Sequence, residues 1–151
     1  KSQARALMRA GQLISRPSQG RLNLFFYDPK FKRTLPYYDT FPLVLPLEPI
    51  KGGFIGMNFH YLPPAMRFTL LARMDKFLSG DMIRPNTKYQ VDYDSVKNIP
   101  MVKPTLHKYL YSNVRSQFLR INANEAAIAV YLPVQQFRKQ PATTVWRRSR
   151  L

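Results

Sequence analysis

The chain has 151 residues, 45% of them apolar, which suits one ordinary domain with a buried core and excludes a disordered chain. Its 24 Lys and Arg against 8 Asp and Glu leave a formal charge of +16, so charge alone points to an anionic partner, either nucleic acid or an acidic protein surface. The lack of cysteine excludes disulfides, thiol catalysis and Cys-based zinc sites, and with no apolar run of membrane-spanning or leader type a soluble, non-secreted protein without a membrane partner is expected.

The first residue is Lys1, which carries the expectation that a natural N-terminal segment precedes it. Residues 1–20 hold Lys1, Arg5, Arg9 and Arg16 with no acid and close in Ser, Pro and Gly, so they read as a basic N-terminal arm or a short helix. From Leu22 the chain alternates, with Leu22, Leu24 and Phe26 on one face and Asn23, Phe25 and Tyr27 on the other, a strand wetted little on either side. Asp28 and Pro29 turn it. The stretch from Thr34 to Thr40 reads as extended, Leu43 to Leu47 as a second strand, and Gly52 and Gly53 as a hairpin turn into Phe54 to Tyr61.

Pro63 and Pro64 suit a helix start and Gly80 a helix end, which predicts a helix near 64–79. Its apolar stripe is Leu70, Leu71, Met74, Phe77 and Leu78, with Arg67, Arg73 and Lys76 off that stripe. Tyr89, Val91 and Tyr93 alternate like a strand. Pro104 opens a second expected helix near 104–118, because Leu106, Leu110, Val114 and Phe118 recur every four residues. Glu125 to Leu132 (EAAIAVYL) reads as a further strand, and residues 134–151 as a basic C-terminal tail that wraps or docks. The expected architecture is thus α+β and mainly β. Residues 21–133 form a small SH3-like barrel or a curled antiparallel sheet with two packed helices, flanked by extended basic termini.

Basic residues thicken at Arg16 and Arg21, at Lys30, Lys32 and Arg33, and at Arg138, Lys139, Arg147, Arg148 and Arg150. These are the candidate phosphate contacts, since Lys and Arg that neutralise phosphates release counterions and give affinity without sequence information. Tyr27, Tyr37, Tyr38 and Trp146 are candidates to stack exposed bases. Against this stands the ordinary role of such residues, in which charges solvate a surface and aromatics fill a core.

Catalysis has weaker support. Asp28-Pro29-Lys30 superficially matches the Asp-x-Lys element of metal-dependent nucleases, and Asp92 with Asp94 forms a second acidic pair. Yet such chemistry needs several converging carboxylates in a chain that has 8 acids in all, and Asp-Pro is an ordinary turn. His60 and His107 have no partner at metal-ligand spacing, Ser112 and Ser116 have no activating His and acid, and no phosphate-cradling glycine motif occurs. No catalytic residue, metal or cofactor is expected.

The run FFYDPKFKRTLPYYDTFPLVLPL, then GFIGMNFHYLPP, KPTLHKYLYSNVRSQF, AIAVYLP and VWRRS, resembles a structural protein of T4-like tailed phages that related cyanophages label DNA end protector. The resemblance covers residues 20 to 149. It implies a minor virion protein, assembled in the host cytoplasm in several symmetric copies at the portal, neck or tail side, that binds and shields the end of the packaged double-stranded DNA. It implies other virion proteins as partners, and the rival expectation is a head-to-tail connector or baseplate protein that touches only protein.

Overall fold

The structure, a computed structural model, describes residues 2–18, 20–77 and 93–150. In chain order its elements are α1 (Ser2–Ala10), β1 (Leu13–Ile14), β2 (Leu22–Leu24), β3 (Tyr38–Asp39), β4 (Leu43–Ile50), β5 (Gly53–Asn58), α2 (Pro64–Phe77), α3 (Tyr93–Val96), β6 (Leu106–Leu110), β7 (Phe118–Ile121), α4 (Ala126–Tyr131), β8 (Phe137–Arg138) and α5 (Ala142–Arg148). Six strands form one antiparallel sheet in the order β1-β7-β2-β4-β5-β6, and β3 pairs with β8 in a separate ribbon. The fold is α+β as expected. Among the described residues no pairing joins β1 to β6, so the sheet is open and the barrel alternative finds no support.

Period-two alternation explains why this sheet is dry on both faces. Leu22, Leu24, Leu43, Leu45 and Met57 point to one side, where Phe59, Leu62, Leu70, Leu71 and Met74 complete the main core. Val44 and Phe54 point to the other, where Phe25, Tyr27, Tyr109 and Phe118 form a second, aromatic core. Phe25 is fully buried among rings of Tyr27, Phe54, Tyr109 and Phe118, with centroids 4.7 to 6.3 Å away. Each such burial contributes roughly 1.5–3 kcal/mol before ordering costs.

The central hairpin is fixed by its glycines. Gly52 has φ +76° in the turn, and a Cβ on Gly53 would run into the Tyr109 carbonyl of the neighbouring strand. Two prolines sit in β4, where a missing N–H would break a central strand. They are tolerated because β2 pairs only with Leu43 and Val44, ending before Pro46 and Pro49, and because the β4–β5 register shifts by a bulge between Pro46 and Glu48.

Helix α2 starts where Pro64 places it and buries Leu70, Leu71 and Met74. Leu78, the Gly80 stop and the strand positions Tyr89 and Val91 lie outside the described residues, and Tyr93 opens α3. Arg67, expected off the apolar stripe, is fully buried. Its guanidinium donates to the carbonyls of Leu62 (2.6 Å), Val130 (3.1 Å) and Leu132 (3.4 Å) and to Gln135 Oε1 (3.1 Å). The cation thereby satisfies orphan carbonyls at the C-terminal end of α4, where the helix dipole also favours it.

Two expectations are corrected. Residues 104–118 are not a helix: after a 3-10 turn at Lys103–Thr105, Leu106–Leu110 form β6, which pairs with β5 from Met57↔Leu106 to Gly53↔Leu110, and a further 3-10 turn follows at Tyr111–Asn113. The four-residue spacing of Leu106 and Leu110 also fits a period of two, and the free edge of β5 decides between them. Residues 126–131 are not a strand but α4, in which Ala126, Ala129 and Val130 are buried at helical i, i+3, i+4 spacing while Ile128 and Tyr131 are exposed. Alanine's high helix propensity outweighs the β-branched pair. Residues 134–150, expected as a tail that wraps or docks, are built into the fold, since β8 pairs with β3 and α5 buries Val145. The N-terminal stretch takes its helical alternative as α1, with Ala4 and Met8 buried one turn apart, followed by β1 on the sheet edge.

Candidate nucleic-acid interface

A buried polar node holds the β3–β8 ribbon against the sheet. Asp39 Oδ1 accepts the backbone N–H groups of Phe41 and Gln136, each at 3.0 Å. Asp39 Oδ2 accepts from Asn58 Nδ2 and pairs with His60 Nδ1, again each at 3.0 Å. Burial alone would raise this carboxyl, but the adjacent His60 and the N–H donors outweigh it and hold it below the ordinary carboxylate range. Burial also pushes His60 down, against the opposing pull of Asp39. The consistent state is a carboxylate receiving Nδ1–H from a neutral imidazole. Burial lowers Arg67 to about 10, with Asp39 partly restoring it, so it stays cationic at neutral pH.

On this base stands a surface loop between Tyr27 and Tyr38. Asp28 Oδ1 accepts from Lys32 at 2.8 Å, and Arg115 Nη2 lies 3.8 Å from Asp28 Oδ2. The Lys32 hydrogen bond lowers the exposed Asp28 carboxyl. Thr34 and Leu35 both donate backbone N–H to Phe31 O at 3.0 Å, closing a compact turn that leaves Lys30, Phe31, Lys32 and Arg33 exposed. The Lys139 ammonium clamps the loop, donating to Leu35 O (2.6 Å) and Arg33 O (3.2 Å) from a backbone position at φ +75°. It also lies 5.9 Å from the Tyr38 ring, and Arg148 lies 5.5 Å from the Tyr37 ring.

Between this loop and β6 is a cleft of 420 Å³, walled by Tyr27, Tyr37, Tyr61 and Tyr109 with Phe31 at its lip. Burial raises the Tyr61 and Tyr109 phenols, so those walls stay uncharged. Lys30 and Lys108 line the same cleft, and its one acid, Asp39, is engaged in the node beneath. On the other side of Tyr27 a second, more polar cleft of 310 Å³ gathers Arg5, Arg115 and Arg138 around Asp28.

The sequence-predicted candidates therefore separate into groups. Lys30, Lys32, Arg33, Tyr37, Tyr38, Arg138, Lys139 and Arg148 come together on the loop, ribbon and α5. Arg147 and Arg150 are exposed around the end of α5, with Arg150 touching the Met66 sulfur. Arg16 is exposed beyond β1, away from the ribbon, and Arg21 is buried rather than displayed. Trp146 is a tether: its indole N–H donates to His60 O at 2.8 Å and its ring lies 5.8 Å from Arg67. Residue-type reasoning missed Phe31, Arg5, Lys108 and Arg115. Phe31 had a readable signal, a large apolar residue in a Pro-opened turn between two lysines; Arg115 and Lys108 join only through pairing distant in sequence.

Among the described residues no three His, Cys, Asp or Glu side chains converge in a way that could hold an ion. Asp28 is paired with Lys32, Asp94 with Lys97 at 3.0 Å, and Asp92 lies outside the described residues. No helix among those residues is long and apolar enough to cross a membrane. A family model described as Phage T4 terminal DNA protecting protein matches residues 4–149, nearly the whole chain, and the chain belongs to that family. No curated protein and no solved structure gives a significant match.

Proposed function

We propose that this member of the phage T4 terminal DNA protecting protein family acts by binding rather than by catalysis, holding the end of linear double-stranded phage DNA and shielding it from exonucleases. The observation that carries the reading is the family match, and the face formed by the 28–38 loop, the β3–β8 ribbon and α5 supplies the chemistry. Six of its side chains, Lys30, Lys32, Arg33, Arg138, Lys139 and Arg148, are exposed cations, and three of them, Lys30, Lys139 and Arg148, lie beside the rings of Phe31, Tyr38 and Tyr37. Such a face neutralises phosphates and stacks on bases, the two sources of sequence-tolerant DNA affinity. The protein then works as a virion component at the portal, neck or tail side, in several symmetric copies with other virion proteins around it. The nuclease reading is disfavoured because Asp28 is committed to Lys32 and Arg115.

Retention on immobilised linear duplex as salt rises tests this reading. Binding through phosphates gives a log–log salt slope of roughly −0.9 for each phosphate contacted. Absence of retention at low salt refutes it.

A second reading, docking onto other virion proteins, is favoured by one feature. Phe68, Ile128 and Tyr131 are exposed on α2 and α4, with the Phe68 and Tyr131 rings 5.5 Å apart, and an apolar face of this kind suits protein rather than DNA. The double variant Ile128→Asp, Tyr131→Asp should fail to enter virions while keeping its DNA retention; unimpaired incorporation contradicts an interface at this face.

A further inference from the structure

The two clefts on either side of Tyr27 differ in chemistry in a way that matches the two ends of one nucleotide. The larger is walled by uncharged aromatic rings and opens beside Phe31, which is 63% exposed, an unusual state for a phenylalanine in a folded surface turn. The turn is closed without that ring, by the Asp28–Lys32 pair and backbone hydrogen bonds, and Lys30 lies 5.4 Å from the Phe31 ring. The smaller cleft is lined by three arginines, Arg5, Arg115 and Arg138, and by a single acid, Asp28, which holds Lys32 at 2.8 Å and lies 3.8 Å from Arg115. Tyr27 lines both clefts, so an aromatic slot and an arginine-lined seat adjoin at one residue. A nucleotide likewise joins a flat, stackable base to a charged phosphate. Intact duplex cannot use such a slot, because its bases are paired and stacked; only an end offers a base that is free to leave the helix.

We propose that the aromatic cleft takes the unpaired terminal base of a DNA end, stacked against Phe31 and the tyrosine walls, while Arg5, Arg115 and Arg138 hold the adjoining phosphate. The inference rests on the DNA-end reading above and deepens it: the face recognises an end rather than duplex in general. Electrostatic attachment along the duplex comes from the cations of the loop and α5, and discrimination of the end comes from the slot. A partner protein inserting an apolar side chain would use the slot without the arginines, and duplex bound side-on would use the cations without the slot.

The test uses the full chain and three DNAs that share one duplex sequence: a duplex with one unpaired 3′ or 5′ terminal nucleotide, a blunt duplex, and a covalently closed circular duplex that has no end. The fluorescent base 2-aminopurine is placed either at the terminal position or in the interior. Wild-type protein should bind the unpaired-end duplex more tightly than the closed one and quench the terminal probe but not the interior one. Phe31→Ala, on an exposed ring whose removal leaves the core intact, should weaken open-end binding by about tenfold, on the scale of one base–aromatic stack, and abolish the quenching. Phe31→Trp should restore both. Arg115→Gln should shallow the salt dependence for open ends, and binding of the closed duplex should be unchanged by the Phe31 substitutions. Equal affinity of wild-type protein for open and closed duplexes, or quenching that survives Phe31→Ala, overturns the terminal-base slot while leaving DNA binding in place. Absence of binding to any of the three DNAs overturns the underlying DNA-end reading as well.

Discussion

Replacing Asp39 with Asn tests whether the buried node positions the proposed DNA face. The substitution keeps size and shape but removes the charge that four N–H donors share, each at 3.0 Å and each buried or nearly so. Asparagine has one acceptor oxygen, so its amide N–H₂ must face two of those donors. Hydrogen bonds to a buried charge contribute about 1.5–3 kcal/mol each, and losing or inverting two of them should cost about 3–6 kcal/mol. Arg67 adds to the loss, because Asp39 is the acid whose field supports its buried cation. For a chain of this size the cost corresponds to a drop of about 10 °C in Tm. Urea unfolding followed by circular dichroism would measure it, with the exposed Asp28→Asn as a control that should shift stability by less than about 1 kcal/mol. Since Asp39 ties Gln136 and Asn58 to the strand that carries Tyr38, DNA retention should fall in Asp39→Asn even well below its Tm. An Asp39→Asn protein within about 0.5 kcal/mol of wild type would refute the claim that this carboxylate organises the ribbon.

Acid should unfold the protein in two stages. His60, and His107 at about 4, have folded-state values below the ordinary 6.5, so the unfolded chain binds more protons and stability falls as pH drops from 6.5 toward 4. His107 is only partly buried, and residual solvent contact tempers its share. Asp39 is depressed below 3.8, so its contribution is complete above that value and is lost below it, as pH falls through the folded-state value. Urea midpoints measured from pH 7.5 to 3 should show both stages, and a flat profile between pH 6.5 and 4.5 would contradict burial of neutral histidines. Neutralising Arg147, Arg148 and Arg150 together to Gln should reduce the salt slope by about 2–3, at roughly 0.9 for each phosphate no longer neutralised, with Tm changed by only a few degrees because all three are exposed on or beyond α5. A collapse of thermal stability in that variant would show these arginines to be structural.

Where local chemistry decided the structure, the sequence was readable. The strong alternation from Leu43 and the Gly52-Gly53 turn predicted the central hairpin, and Pro63-Pro64 predicted the start of α2. The failures occur where a distant segment arbitrates. Leu106 and Leu110 fit helix and strand alike until the edge of β5 offers Tyr109 a place among Phe25, Tyr27 and Phe54. Arg67 looked like surface because its cage of carbonyls comes from Leu62, Val130 and Leu132, two of them more than sixty residues away. The basic clusters at 30–33 and 138–139 were legible as charge. That they meet, clamped by Lys139 on the Arg33 and Leu35 carbonyls, depends on the β3–β8 ribbon, which two-residue strands do not announce. The bond from the Trp146 indole was hidden for a similar reason: the residue it reaches, His60, is in a 3-10 turn far along the chain.

Exonuclease digestion of linear duplex in the presence of the protein tests the central claim most directly. The measured quantity is the protein concentration needed to halve the digestion rate, at fixed total base pairs cut into fragments of different length. End protection predicts that this concentration rises with the number of ends and that covalently closed circular DNA competes far less than the same mass of linear fragments. Protection that scales with total base pairs, is relieved by closed circles as readily as by linear fragments, or does not occur would contradict it.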